Sequence, residues 1–323
     1  MLARPASAAA EDAVTAVAAP ADEPGIAANF RGSDVSLRTD VLAIGLDKAA
    51  DPTWNPNVEM SLSATVRYTL NPRVRFNASS SLSRELTQSD WTTYQGETMV
   101  GDTQLGARYA ILLPDPVTPT GLSVSSDLGV NLPTSKASAA RSLIIAPSLG
   151  VTAAWSSRFA GQGLQLSLSG RGTYMAHQYT TGQLDSPWVV GCADLTSGCS
   201  QFSHTGLRNP EWRWTGLANA TWTPLSSVAV TATAGVHADQ LYALGTAKGT
   251  TYTVEPDPND PSQRVTMVYV LEASWDITDV VNVSLGAQTV NSQLAPDSTY
   301  QSVFINRFTN LYLNLQIAPA ELF

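Results

Sequence analysis

Residues 59–70 read EMSLSATVRYTL, and apolar and polar side chains alternate along this stretch. The even positions are apolar and lie on one face of an extended chain: Met60, Leu62, Ala64, Val66, Tyr68 and Leu70. The odd positions are polar or charged: Glu59, Ser61, Ser63, Thr65, Arg67 and Thr69. A period of two residues is that of a β-strand whose two faces meet different surroundings. The stretch therefore predicts one amphipathic strand.

The same alternation recurs from residue 33 to near the C-terminus, in segments of about ten to fourteen residues. It predicts twelve strands, at 33–46, 59–70, 73–86, 101–112, 121–132, 142–156, 163–177, 211–223, 228–239, 265–277, 280–290 and 302–317. Short connections follow the even-numbered strands, and longer ones follow the odd-numbered strands. Short turns at one end and long loops at the other, with both chain ends on the turn side, are typical of bacterial outer-membrane β-barrels.

The composition agrees with a surface that faces lipid, because only 14% of the residues are charged, against roughly 25% in soluble domains. No run of about 18 apolar residues occurs, so the sequence excludes a transmembrane helix. A closed β-barrel is the other structure that satisfies its backbone hydrogen bonds within a bilayer. We therefore predict an all-β, transmembrane antiparallel β-barrel over residues 33–323, in the lipids of a Gram-negative outer membrane. The net charge of −9, with scattered Lys and Arg, argues against nucleic-acid binding.

Aromatic residues collect near the short turns on the apolar face of five predicted strands: Tyr68, Tyr109, Trp155, Trp222 and Trp275. Such rings settle at a membrane–water interface, so these five predict an aromatic girdle. A second girdle is expected toward the long loops, from Tyr174, Trp212, Trp214 and Tyr269. A general preference of aromatic residues for strands is the alternative explanation.

Both termini carry patterns associated with export. Ala8-Ala9-Ala10 before Glu11 is similar to a signal-peptidase site, so residues 1–10 are expected to be the remnant of a signal peptide. A chance match within an Ala-rich stretch is the alternative. Residues 11–32 show no period and are expected to be flexible or folded into the lumen. The final predicted strand and Phe323 resemble the signal read by the barrel-assembly machinery, which implies that machinery as a partner during biogenesis.

The two cysteines, Cys192 and Cys199, lie in one segment rich in Gly, Ser and Thr. An oxidising compartment would pair them as a disulfide that staples this loop. Two free thiols are the alternative. A metal site is not expected, since no further ligands lie at a useful spacing.

The polar faces should line the lumen, and the charged residues on them are unevenly placed. Four arginines fall on three consecutive predicted strands near the short turns: Arg67, Arg73, Arg75 and Arg108. The other charged positions expected to line the lumen are Asp127, Arg171, Glu272 and Asp276. We hypothesise a basic wall that faces an acidic one formed by Asp127, Glu272 and Asp276, which would orient dipolar solutes. Local salt bridges between neighbouring charges are the alternative.

Enzymatic chemistry is not expected. The histidines are His177, His204 and His237, and spacing on separate strands does not bring a nucleophile, base and orienting group together. The sequence has no phosphate-binding glycine loop and no zinc spacing, so no cofactor is predicted. A calcium-stimulated lipid hydrolase is disfavoured for the same reasons.

One region resembles a known family. It comprises the stretch from Gly101 to Tyr109 (GDTQLGARY), Gly121-Leu122-Ser123, and Leu132-Pro133-Thr134 followed by Ser135. This region is similar to the outer-membrane transporters typified by the meta-pathway phenol-degradation proteins. The resemblance implies a barrel that passes hydrophobic aromatic compounds.

Most inward positions are small, such as Ser123, Ser167 and Thr231, and twelve strands should then leave a narrow passage. Residues 11–32 or the loop 178–210 are alternative fillings of it. The sequence therefore favours a passive channel for small solutes. A structural barrel whose loops 178–210 and 240–264 bind other envelope proteins, as in secretion or motility machinery, is the second interpretation.

Overall fold

The structure, a computed structural model, describes residues 29–46, 56–87, 96–113, 121–185, 202–243, 262–292, 302, 304–306 and 308–319. Its strands are β1 (Asp34–Leu42), β2 (Val58–Asn71), β3 (Val74–Glu85), β4 (Thr98–Val100), β5 (Thr103–Leu112), β6 (Gly121–Leu132), β7 (Leu143–Phe159), β8 (Gln162–Tyr174), β9 (Ala176–His177), β10 (Thr181–Asp185), β11 (Phe202–Arg208), β12 (Pro210–Leu225), β13 (Val228–Leu241), β14 (Gln263–Asp276), β15 (Val281–Ser292) and β16 (Thr309–Ile317). A short helix, α1 (Lys136–Ala140), and a 3-10 turn (Ala43–Leu46) lie between strands. No helix among these residues is long and apolar enough to cross a membrane.

One antiparallel sheet forms the wall of the molecule. Each wall strand pairs with the next along the chain, and β1 pairs with both β2 and β16, so that the sheet closes on itself. β4 and β5 follow one another beside β3, and the two-residue β9 extends β8, which leaves twelve wall strands. β10 and β11 form a separate hairpin. The prediction of a closed antiparallel barrel of twelve strands is therefore confirmed.

Local sequence explains how the short connections turn. Asn71 Oδ1 accepts hydrogen bonds from the backbone N–H groups of Arg73 and Val74, each at 2.9 Å, which mimics a backbone turn. Ala160 and Gly161, between β7 and β8, both have positive φ angles, of 52° and 81°, as a type I′ hairpin requires. The connections that follow β1, β3, β6, β8, β13 and β15 are longer. We call the two ends of the barrel the turn end and the loop end.

Most strand bounds lie within about three residues of the prediction, and three regions differ by more. The segment 33–46 leaves the sheet after Leu42 and continues as the 3-10 turn. The segment 302–317 joins the sheet only at Thr309, because Asn306 organises a local turn: its Nδ2 donates to Ser302 O at 2.7 Å, and its Oδ1 accepts from Phe308 N at 2.8 Å. The connection 178–210, expected to be a plain loop, carries the β10–β11 hairpin.

The two faces of the wall have opposite character. Large apolar side chains project outward, and Leu128, Leu168 and Leu285 are 62%, 66% and 64% exposed. The alternate residues, mostly Ser, Thr, Asn, Gly and charged residues, point into the barrel. An apolar exterior around a polar interior is the arrangement that a bilayer requires of a barrel.

Candidate permeation pathway

The inward side chains divide the lumen into two halves. On β12–β16 and β1 many of them are buried, which defines the packed half: Leu217, Thr221, Thr233, His237, Val268, Val270, Ser284, Tyr312, Asn314, Asp34, Ser36 and Asp40. On β2–β8 most are small and only half-buried, which defines the open half: Ser61, Ser63, Thr65, Ser79, Ser81, Ser83, Gly106, Gly129, Thr152, Ser167 and Ser169. The accessible space within the barrel is therefore displaced toward β2–β8.

Tyr312 lies at the centre of the packed half and is only 3% exposed. Its ring crosses Gly286 on β15, where no side chain would fit. Its hydroxyl donates to Glu272 Oε2 at 2.7 Å, and the Arg38 guanidinium stacks 3.7 Å from the ring centroid. Tyr312 thus links β1, β14 and β16, with an attractive cation–π contact on one face.

Neighbouring contacts complete the packed half. Arg38 also donates to both carboxylate oxygens of Asp40, at 2.9 and 2.7 Å, and to Gln288 Oε1 at 2.9 Å. An apolar cluster packs beside Tyr312: Leu217, Val268, Val270 and Val290. Buried apolar and charge-paired side chains fill this side of the lumen.

A row of charged residues crosses the open half. Backbone register pairs these inward positions on successive strands: Arg75, Arg108, Asp127, Gly150 and Arg171. Because barrel strands tilt, such a row climbs along the axis. Arg75 follows the first residue of β3 at the turn end, whereas Arg171 is near the loop-end limit of β8. Three guanidinium groups therefore share this row with one carboxylate.

Asp127 forms its ion pair across an intervening strand. Arg171 Nη2 contacts Asp127 Oδ2 at 2.6 Å over Gly150 of β7, where a Cβ atom would collide with the carboxylate. Arg108 Nε donates to Ser125 Oγ at 3.0 Å. The Arg171 side chain keeps 41% exposure, against 18% for Arg38 in the packed half. Arg171 is therefore more accessible than the paired arginine of the packed half.

The loop 133–142 folds against the inner rim at the loop end. Asp102 holds it by accepting hydrogen bonds from Ser135 N at 2.9 Å, from Ser138 Oγ, and from Asn131 Nδ2 at 3.0 Å. Thr134 Oγ1 donates to Gly101 O at 2.8 Å. The segments that carry the family resemblance, GDT at 101–103 and LPTS at 132–135, therefore bind one another and anchor this loop.

Arg141 follows α1 in this anchored loop. Its carbonyl accepts from Asn209 Nδ2 at 2.9 Å, which fixes the backbone. Burial lowers the pKa of the Arg141 guanidinium, Arg213 and Arg264 lower it further, and Asp239 and Asp102 oppose them. Three of these neighbours are inward residues of β12, β13 and β14, and Asp102 directly precedes β5, so the guanidinium lies at the mouth of the barrel. Arginine remains protonated despite such a shift.

Arg213, Asp239 and Arg264 occupy register-paired inward positions of β12, β13 and β14. Arg213 binds Asp239 through both carboxylate oxygens, at 2.6 and 2.8 Å. Next to them, His237 Nδ1 lies 2.9 Å from Thr215 Oγ1. At the loop end, Arg213 and Arg264 therefore flank Asp239 on neighbouring strands, and Arg141 lies within electrostatic reach of all three.

The remaining residues of the predicted charged set occupy different settings. Arg67 points inward and pairs with Asp34 at 2.6 Å. Arg73 lies exposed in the β2–β3 turn, and Asp276 accepts from Asn282 Nδ2 at 2.7 Å at the turn end. The hypothesis of two facing walls is wrong for Asp127, which lies between Arg108 and Arg171 instead of opposite them. Local salt bridges, the alternative interpretation, therefore neutralise part of the predicted charged set.

Other predictions of the sequence concern positions that the structure does not describe. They are the disulfide between Cys192 and Cys199, residues 1–10, most of 11–32, and Phe323.

The outward aromatic rings mark both ends of the apolar belt. Tyr109, Trp155, Trp222 and Trp275 are 39–58% exposed on the outer face near the turn end, and Tyr68 contacts Phe30 there. Near the loop end, Trp212 packs against Tyr174 and stacks on Trp214, with centroids 4.9 and 5.9 Å apart. Amphipathic rings take these positions at membrane interfaces. The chain is an outer-membrane β-barrel.

Among solved structures, other outer-membrane barrels are similar to this chain. The NanC porin is 11% identical, with 89% of this chain and 98% of that chain covered and a TM-score of 0.44. The KdgM porin is 8% identical, with 88% and 98% covered and a TM-score of 0.42. Outer membrane phospholipase A from Escherichia coli is 12% identical, with 90% and 96% covered and a TM-score of 0.36. These distant likenesses do not bear on function.

No protein-family model matches this sequence, and no curated protein is detectably similar to it. The resemblance to the phenol-degradation transporters therefore stays a prediction.

Sequence reasoning missed four charged residues of the site: Arg38, Arg141, Arg213 and Arg264. Arg213 sits on the polar face of a predicted strand, so the alternation would have placed it in the lumen, and Arg264 directly precedes the predicted strand 265–277. Arg141 follows a loop helix, where no period indicates direction.

Proposed function

We propose that this barrel is a passive channel for small polar solutes, with its pathway along the open half. The observation that carries the proposal is the unequal filling of the lumen. Bulky buried side chains occupy the packed half, whereas Ser, Thr and Gly line β2–β8. Small inward residues on a twelve-stranded wall leave room that larger ones would fill.

The chemistry of the open half favours polar solutes. Hydroxyl groups and guanidinium groups line it, and the apolar cluster around Leu217 and Val270 is buried in the packed half. A hydrophobic aromatic compound, as the family resemblance implies, would find little apolar surface along this route. The proposal includes no covalent step and no cofactor.

The test compares two variants of β3 that each gain a tryptophan, one on the lumen face and one on the outer face. Ser79 points into the open half, and Ser80, next to it on β3, is exposed on the outer face. In planar bilayers we expect Ser79→Trp to lower single-channel conductance by roughly half or more, because pore diameter limits flow. The matched Ser80→Trp variant should conduct as the parent chain does.

Two results would contradict the proposal. Unchanged conductance in Ser79→Trp would move the pathway away from β3. A folded parent barrel that stays silent in bilayers would remove the channel function altogether.

The filling of the packed half favours a second candidate, a structural barrel that binds other envelope proteins. A silent barrel that co-purifies with defined envelope proteins from native membranes would support it.

A further inference from the structure

Among the described residues, the charged neighbours of Arg141 are two guanidinium groups, of Arg213 and Arg264, and two carboxylates, of Asp239 and Asp102. Both oxygens of Asp239 are engaged by Arg213. Asp102, the other carboxylate near Arg141, is engaged by Ser135 and Ser138 of the anchored loop and by Asn131 of β6.

Arg141 and Arg264 therefore keep donors for another ligand. Among the described residues, neither guanidinium takes part in a hydrogen bond or an ion pair. Arg264 is register-paired with Asp239, whose carboxylate is already bound by Arg213. Arg141 is held by its backbone in a half-buried position, within electrostatic reach of Arg213 and Arg264. Arginines that repel one another without a shared anion are unfavourable.

We propose that Arg141, Arg213 and Arg264 form a binding site for the oxyanion group of an acidic solute, a carboxylate or a phosphate. This inference deepens the proposed channel function, on which it rests for the passage of the bound solute. The planar fork of each guanidinium matches two oxyanion oxygens. The site stands at the loop-end mouth, and the basic row through Arg171 and Arg108 continues from it toward the turn end.

The proposal can be tested by equilibrium binding, without any measurement of transport. Glucuronate and glucose, which differ in one carboxylate, are titrated against the full-length refolded barrel in detergent micelles, with saturation-transfer NMR as the readout. Glucuronate should bind and glucose should not. Inorganic phosphate should compete with glucuronate, and added salt should weaken binding because the contact is ionic.

Variants assign this binding to the site. The double variant Arg141→Gln/Arg264→Gln should raise the Kd for glucuronate at least about tenfold, because it removes two of the three charged donors to the oxyanion. Arg264→Gln alone removes no hydrogen bond between the residues that the structure describes, and it should give an intermediate Kd in a folded barrel. Arg84→Gln is the matched control, since Arg84 is exposed on the outer face of β3.

The outcomes separate this inference from the channel function. If the barrel conducts but binds glucose and glucuronate equally, or binds glucuronate unchanged in both variants, the anion site is overturned and the channel stands. If glucuronate binds through the arginines and the barrel does not conduct, the site stands and the channel function fails.

Discussion

The open and packed halves of this barrel belong to one sheet with one alternation of side chains, yet their interiors are built differently. In the packed half, Tyr312 fills the space above Gly286 and joins Arg38 to Glu272. In the open half, Gly150 leaves space that lets Arg171 reach Asp127 across a strand. In the packed half a glycine makes room for a buried ring, whereas in the open half a glycine makes room for an ion pair that is partly exposed to the lumen.

The largest expected difference in stability is between two glycine-to-alanine variants, one in each half of the lumen. Gly235, in the packed half, faces the Gly216 carbonyl and Leu217 so closely that a Cβ would displace backbone. Gly235→Ala should lower the free energy of unfolding by about 2–3 kcal/mol, as overpacking does. Gly129→Ala, in the open half, meets chiefly the Ser148 hydroxyl, which can rotate, and should change stability by less than about 1 kcal/mol.

Denaturant titration of the refolded barrels in micelles measures both variants. Equal losses of stability would contradict the division of the lumen into two differently packed halves.

A smaller effect is expected from the Tyr312 hydroxyl. Tyr312→Phe keeps the ring over Gly286 but leaves Glu272 Oε2 without this donor, at a cost of roughly 1–3 kcal/mol for an unmet hydrogen bond near a charge. Adding Glu272→Gln to the Tyr312→Phe variant should recover part of the loss, since an amide is less costly to leave unpaired. Ser169→Ala on the open wall is the control and should be nearly neutral, and a loss there equal to that of Tyr312→Phe would contradict the comparison.

The smallest effect concerns pH at the rim above both halves. His177, on β9 beyond the loop-end girdle, has its pKa lowered by burial, with Arg141 adding to the shift and a hydrogen bond to Met175 opposing it. The folded state therefore binds this proton less readily than an opened rim does. The contribution to stability is complete above the ordinary histidine pKa of about 6.5 and is lost as pH falls below it.

Hydrogen exchange at the Gln178 amide, which donates to Ser142 O, should report this change as a protection factor that falls below about pH 6.5. In His177→Gln the fall should disappear. A fall that persists in that variant would assign the pH response to another group.

Alternation in the sequence was enough to predict the strands, their faces, the closed barrel and the sorting of turns and loops, because each depends on a period that every segment repeats. The packed half was not predicted, although a signal existed: Val268 and Val270 interrupt the polar face of β14 with apolar residues. Periodicity says which side chains point inward but not which of them meet across the lumen.

Ion pairs between strands were predicted only in part for a related reason. Arg171 and Asp127 stand on β8 and β6, and their contact depends on the glycine between them. The position of Arg141 depends on a loop anchored by Asp102, and a loop has no repeating pattern from which its direction could be read.

The row of charged residues from Arg75 to Arg171 climbs along the barrel axis, and this slope affects the path of a solute that moves along the row. Since wall strands lie about 4.8 Å apart, an anion released from Arg171 must travel sideways past β7 and β6 before it meets Arg108 on β5. A solute that follows this row would therefore move around the barrel axis as it moves along it. Its path through the membrane would be helical, and the tilt of the strands would set the handedness of that path.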